Sequence, residues 1–153
     1  MTKVKTGSDT LKILVKKLDP HAVIPEQTKR DILDACWDIT ALESKRVPGG
    51  GKATVRTGLA MAIPEGWNGH LRPRSGNAIN TPLMVDAGTI DPAYRGEILV
   101  VLVNTSDYPY DVAAGIKIAQ MKVEKIPLVE FVEVKELPPT ERGEKGFGST
   151  ERA

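Results

Sequence analysis

Five short segments of this 153-residue chain carry residue types suited to chemistry. "RPRSG", Arg72 to Gly76, sets a guanidinium, a hydroxyl and a permissive backbone side by side. That combination suits a phosphate: arginine offers a planar fork of donors, serine one more, and glycine lets backbone N–H groups approach. A charged surface turn has the same composition, so this segment alone leaves both readings open. "VDAGTIDPAYRG", Val85 to Gly96, is richer. Ala87–Gly88 can turn a hairpin, Asp91-Pro92 ends the returning strand sharply, and Tyr94 follows where its ring can flank whatever the hairpin holds. The plain alternative is a hairpin with solvated aspartates. In "GIKIAQMKV", Gln120 interrupts an apolar strand, either facing solvent or serving a site as amide donor and acceptor. "DACWDITA" likewise places Asp38 among apolar neighbours. Near the end, "RGEKGFGST" sets Phe147 among three glycines. A segment with so little to bury has no use of its own for one of the chain's two phenylalanines.

Other suggestive patterns fail on spacing. "PGGGKAT", Pro48 to Thr54, evokes a phosphate loop, but Arg46 stands where the first glycine belongs and Ala53 replaces the Ser/Thr. A strand follows it rather than a helix, so a flexible hairpin loop is the reading. Gly143, Gly146 and Gly148 have the reverse order of a dinucleotide fingerprint and leave no room for a helix. His21 and His70 lie far apart with no ligand partner at metal spacing, and Trp37 and Trp67 read as core or boundary aromatics.

The elements that must position these segments are short, β-branched runs bounded by Gly, Pro or Asn. They predict strands over Lys12–Lys17, Cys36–Ala41, Ala53–Ile63, Gly69–Arg72, Ile98–Asn104, Ile116–Lys125 and Leu128–Val134. "TKRDILDA" and "SGNAIN" are the two short helical candidates. The turn spacing is that of an all-β barrel or sandwich. Residues 1–136 read as one domain, and 137–153, with two prolines and three glycines but no apolar alternation, as an arm. Composition agrees with one soluble globular domain: 41% hydrophobic, 27% charged, net charge +1. Near-neutrality removes the electrostatic case for a nucleic-acid or membrane binder. There is no membrane-length apolar run and no signal-peptide apolar region. Cys36 is the single cysteine, which excludes an intrachain disulfide and a cysteine-rich zinc site and makes a reducing, cytoplasmic setting the default, or host cytoplasm or nucleus for a viral protein.

Taken in order, "ACWDITA", "RPRSG", "GTIDPAYRG", "GIKIAQ" and "RGEKGFGST" resemble the five motifs of the trimeric dUTP pyrophosphatase (dUTPase) family, from Ala35 to Thr150. The resemblance implies a β-barrel or jelly roll of the β-clip type, assembled as a homotrimer with a flexible C-terminal arm. It also implies cleavage of dUTP to dUMP and pyrophosphate, which limits uracil in DNA and supplies dUMP for dTTP synthesis. Asp91 would be the general base for an in-line water. Val85, Gly88, Thr89, Ile90 and the backbone of Leu99 would read the uracil. Tyr94 would exclude a 2′-hydroxyl, and Phe147 would stack on the base. Arg74, Ser75, Gly76 and Gln120 would hold phosphates, joined by Arg142, Gly148, Ser149 and Thr150 of the arm. Asp38 would be a structural acid ordering its neighbours. Mg²⁺ would ride on triphosphate oxygens and waters, without direct protein ligands. Each site would draw on three subunits: the third motif from one, motifs one, two and four from a second, the arm from a third.

The chain departs from the family pattern at Lys117, where arginine is usual, at Cys36 and Trp37, and at Glu151, where glycine is usual. Two alternatives follow. A dCTP deaminase-like or bifunctional enzyme of the same fold would need a catalytic glutamate where Val101 stands, and a non-catalytic regulatory binding module would keep the fold without turnover.

Overall fold

The computed structural model describes residues 10–27 and 34–144. In chain order its elements are β1 (Leu14–Lys17), β2 (Trp37–Thr40), β3 (Lys45–Val47), β4 (Lys52–Ala62), β5 (Trp67–Arg72), α1 (Ser75–Asn80), β6 (Leu83–Asp86), β7 (Thr89–Ile90), β8 (Glu97–Asn104), β9 (Tyr110–Val112) and β10 (Lys117–Lys125). The strands form two four-stranded antiparallel sheets, β1-β4-β8-β6 and β2-β10-β5-β7, with β3 and β9 as a separate two-stranded ribbon. The expected all-β class is observed. The "SGNAIN" helix is also present.

Period-two burial explains how the sheets close on one core. Along β8, Ile98, Val100, Leu102 and Asn104 point inward while Glu97, Leu99, Val101 and Val103 take the other face. Val55, Leu59 and Met61 of β4 meet Ile39 of β2, Leu71 of β5 and Ile118 and Met121 of β10 in one apolar cluster. Burying each such side chain contributes roughly 1.5–3 kcal/mol, which holds the two sheets together. Buried Asn104 is satisfied: its amide donates to the carbonyls of Val47 (3.2 Å) and Tyr108 (2.7 Å) and its Oδ1 accepts from Ser106.

Three expectations need correction. Leu128–Val134 forms no strand; the chain is without secondary structure there and exposed from Lys125 to Glu144, with Phe131 96% accessible. β-Branched composition favours a strand only where a partner edge takes its backbone hydrogen bonds, and this segment pairs with none of the described strands. The last strand among the described residues is thus β10. Second, Ala87–Gly88 does not turn a hairpin with mutually paired arms: β6 pairs with β8 and β7 pairs with β5, so the chain crosses between sheets. Third, Pro48–Gly51 is a closed turn between strands that pair elsewhere. Gly51 donates to the Pro48 carbonyl (3.1 Å) and Gly50 to that of Ser106 (2.7 Å). Most of "TKRDILDA" lies outside the described residues, and its last two, Asp34 and Ala35, are not helical.

Candidate active site

The crossing from β6 to β7 builds a cavity of about 220 Å³. Ala87 takes a left-handed backbone (φ 56°), an uncommon state for a residue with a side chain. Asp86 steadies it by accepting the Ala87 N–H at 3.0 Å. Gly88 then runs against β5: Leu71 donates to its carbonyl at 2.8 Å, and a Cβ on Gly88 would lie 2.6 Å from the Leu71 carbonyl oxygen. Only glycine fits there. Thr89 and Ile90 pair with His70 and Gly69, which fixes how this stretch faces β8.

Gly88, Thr89, Ile90, Asp91, Tyr94 and Leu99 all line this cavity. Val85 does not; it sits half-buried against the core. Sequence reading missed Asp86 and Glu97, which also line it, and weighed Val101, a third lining residue, only as the position of a deaminase glutamate. The alternation of β8 is a signal that finds two of them, because Glu97, Leu99 and Val101 share one face. Asp91 is exposed and its carbonyl accepts the Tyr94 N–H at 3.0 Å, a turn that Pro92 favours.

A second cleft, about 350 Å³, gathers Asp38, Arg74, Ser75, Gly76 and Gln120 with Asp34, Ala35 and Cys36. Register explains the meeting of three sequence-distant motifs. β10 lies between β2 and β5, so Gln120 has Asp38 on one side and Arg72 on the other. Its amide donates to the Pro73 carbonyl at 2.8 Å and so ties "RPRSG" to β10. Arg74 occupies the N-cap position of α1, but its guanidinium turns to Asp38 Oδ1 at 2.7 Å. Lys117 Nζ reaches Asp38 Oδ2, also at 2.7 Å, and the Lys117 carbonyl accepts from Asn77 of α1 at 3.0 Å. Asp38 is only 10% exposed, so one carboxylate orients two cations at the cleft. The lysine that departs from the family pattern thus makes a full ion pair, although it lacks the guanidinium fork.

Cys36 lines the same cleft. Burial pushes its thiol up, and nearby Arg72 and Lys122 only partly oppose this, so it is a weaker acid than a free thiol. His21 contacts Asp19 and His70 faces Glu124, and among the described residues no group of three or more His, Cys, Asp or Glu can hold a metal ion. Trp37 and Trp67 are half-buried boundary aromatics, the latter with Lys125 over its ring at 5.5 Å. The two clefts share no lining residue. Arg142 is described and exposed; Phe147, Gly148, Ser149, Thr150 and Glu151 lie outside the described residues.

A family model described as dUTPase matches residues 22–151. The chain belongs to the dUTPase family. It is 45% identical to a deoxyuridine 5′-triphosphate nucleotidohydrolase of Arabidopsis thaliana, over 89% of this chain and 81% of that one. Its fold matches the dUTPase of Staphylococcus bacteriophage 80alpha solved with dUpNHpp: TM-score 0.82 and 30% identity, covering 92% of this chain and 98% of that one. A dUTPase from phage phi11 of S. aureus, reported with a structural Mg(II) ion, matches with TM-score 0.75 and 27% identity over 82% of this chain and 97% of that one. These matches are all to dUTPases and do not favour the deaminase alternative. Val101, which stands where a deaminase would carry its glutamate, lines the cavity with an aliphatic side chain that can carry no proton.

Proposed function

We propose that this chain hydrolyses dUTP to dUMP and pyrophosphate, with the nucleoside seated in the β6–β7 cavity and the phosphates in the Asp38–Arg74 cleft of a neighbouring subunit. The observation that carries the reading is the cavity itself, which brings Gly88 to Asp91, Tyr94 and Leu99 around one space in a chain of this family. Backbone groups of Gly88, Thr89, Ile90 and Leu99 pair with the uracil edge, and the wrong base leaves buried polar groups unpaired. Tyr94 packs under the deoxyribose. At the α-phosphorus, a water oxygen forms a new bond as the bond to the β-phosphate oxygen breaks. Asp91 accepts the water proton and pyrophosphate leaves.

Arg74, Ser75, Gly76 and Gln120 hold the phosphates. Arg142, Gly148, Ser149 and Thr150 close on them from the arm, with Phe147 on the base. Mg²⁺ would ride on the triphosphate oxygens and its own waters, since among the described residues no group of three or more His, Cys, Asp or Glu can hold it; bound there, it would neutralise charge on the phosphate oxygens. A homotrimer with shared sites is supported by two features. The nucleoside cavity and the phosphate cleft of one chain have no lining residue in common. The chain from Ile126 to Glu144 lies exposed with large apolar side chains, as suits an arm that packs on another subunit. No described helix is long and apolar enough to cross a membrane, and the reading places the enzyme in a cytosol-like compartment.

The test is pyrophosphate release from dUTP, dTTP, dCTP and UTP with and without Mg²⁺, for the wild type and Asp91→Asn. Turnover confined to dUTP, and lowered roughly 10²–10⁴-fold by Asp91→Asn with dUTP binding kept, is the expected outcome. Ammonia release from dCTP, or an unaffected Asp91→Asn enzyme, contradicts it.

A further inference from the structure

Tyr94 is 43% exposed and stands over the backbone of the residues that follow it. Its hydroxyl donates to the Glu97 carbonyl at 2.9 Å, and a Cβ on Gly96 would lie 2.4 Å from Oη and 2.6 Å from Cζ. The pose of the ring is therefore set by the backbone at Gly96 and Glu97. That backbone is not held by a simple ladder. Arg56 pairs with Leu99 and Ala60 with Glu97, so Thr57, Gly58 and Leu59 bulge out opposite Ile98. Bulges beside active sites re-aim side chains.

Inside this bulge the Glu97 carboxylate is the common partner. Arg56 Nε donates to Oε1 at 3.2 Å and Oε2 at 3.1 Å, and Gly58 N–H donates to Oε1 at 2.8 Å. Buried Thr57 adds a hydroxyl bond to the Ile98 carbonyl at 2.7 Å. The Glu97 side chain is only 19% exposed while that of Arg56 is 46% exposed, so the tie is sheltered on the Glu97 side and open to solvent on the other. Without it, the start of β8 opposite the bulge would lose its charged anchor and Tyr94 its fixed acceptor.

We infer that Glu97, pinned by Arg56 and Gly58, is a positioning residue that sets Tyr94 for discrimination between deoxyribo- and ribonucleoside triphosphates. The inference rests on the proposed contact of Tyr94 with the sugar. It concerns selectivity rather than the bond-breaking step, so its readout is the ratio of kcat/KM for dUTP to that for UTP. This ratio does not depend on how much of a variant is folded.

Glu97→Gln keeps the shape and an acceptor for Gly58 but removes the charge that holds Arg56. It is expected to lower the ratio roughly three- to tenfold in the wild-type background and to have no further effect in a Tyr94→Phe background, where the link to the Glu97 carbonyl is already gone. Arg56→Lys, which keeps the charge but loses the fork, is expected to lower the ratio in the same direction and serves if Glu97→Gln does not fold. An unchanged ratio in Glu97→Gln, or an equal drop in both backgrounds, overturns the inference. Tyr94→Ala separates the two levels. If it leaves the ratio intact, the sugar contact itself fails and the inference with it; if it collapses the ratio while Glu97→Gln and Arg56→Lys do not, only the role of Glu97 falls.

Discussion

The two clefts of this chain are built by opposite means. The cavity proposed for the nucleoside is shaped by backbone: a crossing between sheets at Ala87–Gly88, a two-residue strand, and one face of β8. The cleft proposed for the phosphates is built on charged side chains, with Asp38 gripping Arg74 and Lys117 at 2.7 Å each. The difference matches what the proposed function asks each to recognise. A flat base edge is read by fixed N–H and C=O groups, and a spread of negative charge is met by oriented cations. It also predicts that the two regions fail differently when altered.

The largest effect is expected where backbone space is filled. Gly88→Ala puts a Cβ 2.6 Å from the Leu71 carbonyl oxygen, a backbone atom that cannot swing away. Such overpacking costs about 1–3 kcal/mol. Turnover of dUTP should fall by at least roughly tenfold and the thermal midpoint should drop together with it. Activity and midpoint both at wild-type values would break the idea that the backbone sets this cavity.

Next comes Asp38→Asn. Losing the carboxylate leaves Arg74 and Lys117 to repel each other, but both are partly exposed, so screening limits the cost to about 1 kcal/mol. The expected signature is a KM for dUTP raised roughly tenfold with a smaller change in kcat. Equal losses in kcat and kcat/KM would move Asp38 from phosphate binding to the reacting step.

The smallest effect lies outside both clefts. The Lys122 ammonium, hydrogen-bonded to Glu124, holds the Glu124 carboxyl below its ordinary value, with His70 helping. A carboxyl lowered on folding stabilises the protein above its unfolded pKa, and that contribution disappears as pH falls through the folded value. A small midpoint difference between wild type and Glu124→Gln at neutral pH should therefore vanish in acid, with dUTP kinetics unchanged. A difference that grows in acid would reverse the assignment.

Long strands were legible because alternation survives burial: Ile98–Asn104 and Ile116–Lys125 appear almost as their patterns predict. Leu128–Val134 has the same composition and forms no strand, because propensity supplies no hydrogen-bonding partner. The three-residue strands β3 and β9 escaped notice since they pair only with each other and bring no periodicity. The motifs picked out Asp91 and Tyr94, which line the first cavity, and Arg74 and Gln120, which line the second cleft. The meeting of Asp38 with Arg74 and Lys117 depends on the register of β2, β10 and β5, a non-local property. Glu97 was passed over because nothing in "YRGE" reveals the bulge of β4 that grips it.

The central claim is that the two clefts of one chain serve different sites. Asp91→Asn and Arg74→Ala, each nearly inactive as a homotrimer, test it when co-refolded in equal amounts and assayed for pyrophosphate release. If one subunit supplies the nucleoside cavity and its neighbour the phosphate cleft, random hybrids hold intact sites and recover roughly a quarter of wild-type activity. If the mixture stays as inactive as its parents although hybrids have formed, each chain completes its own site and the shared-site account is wrong.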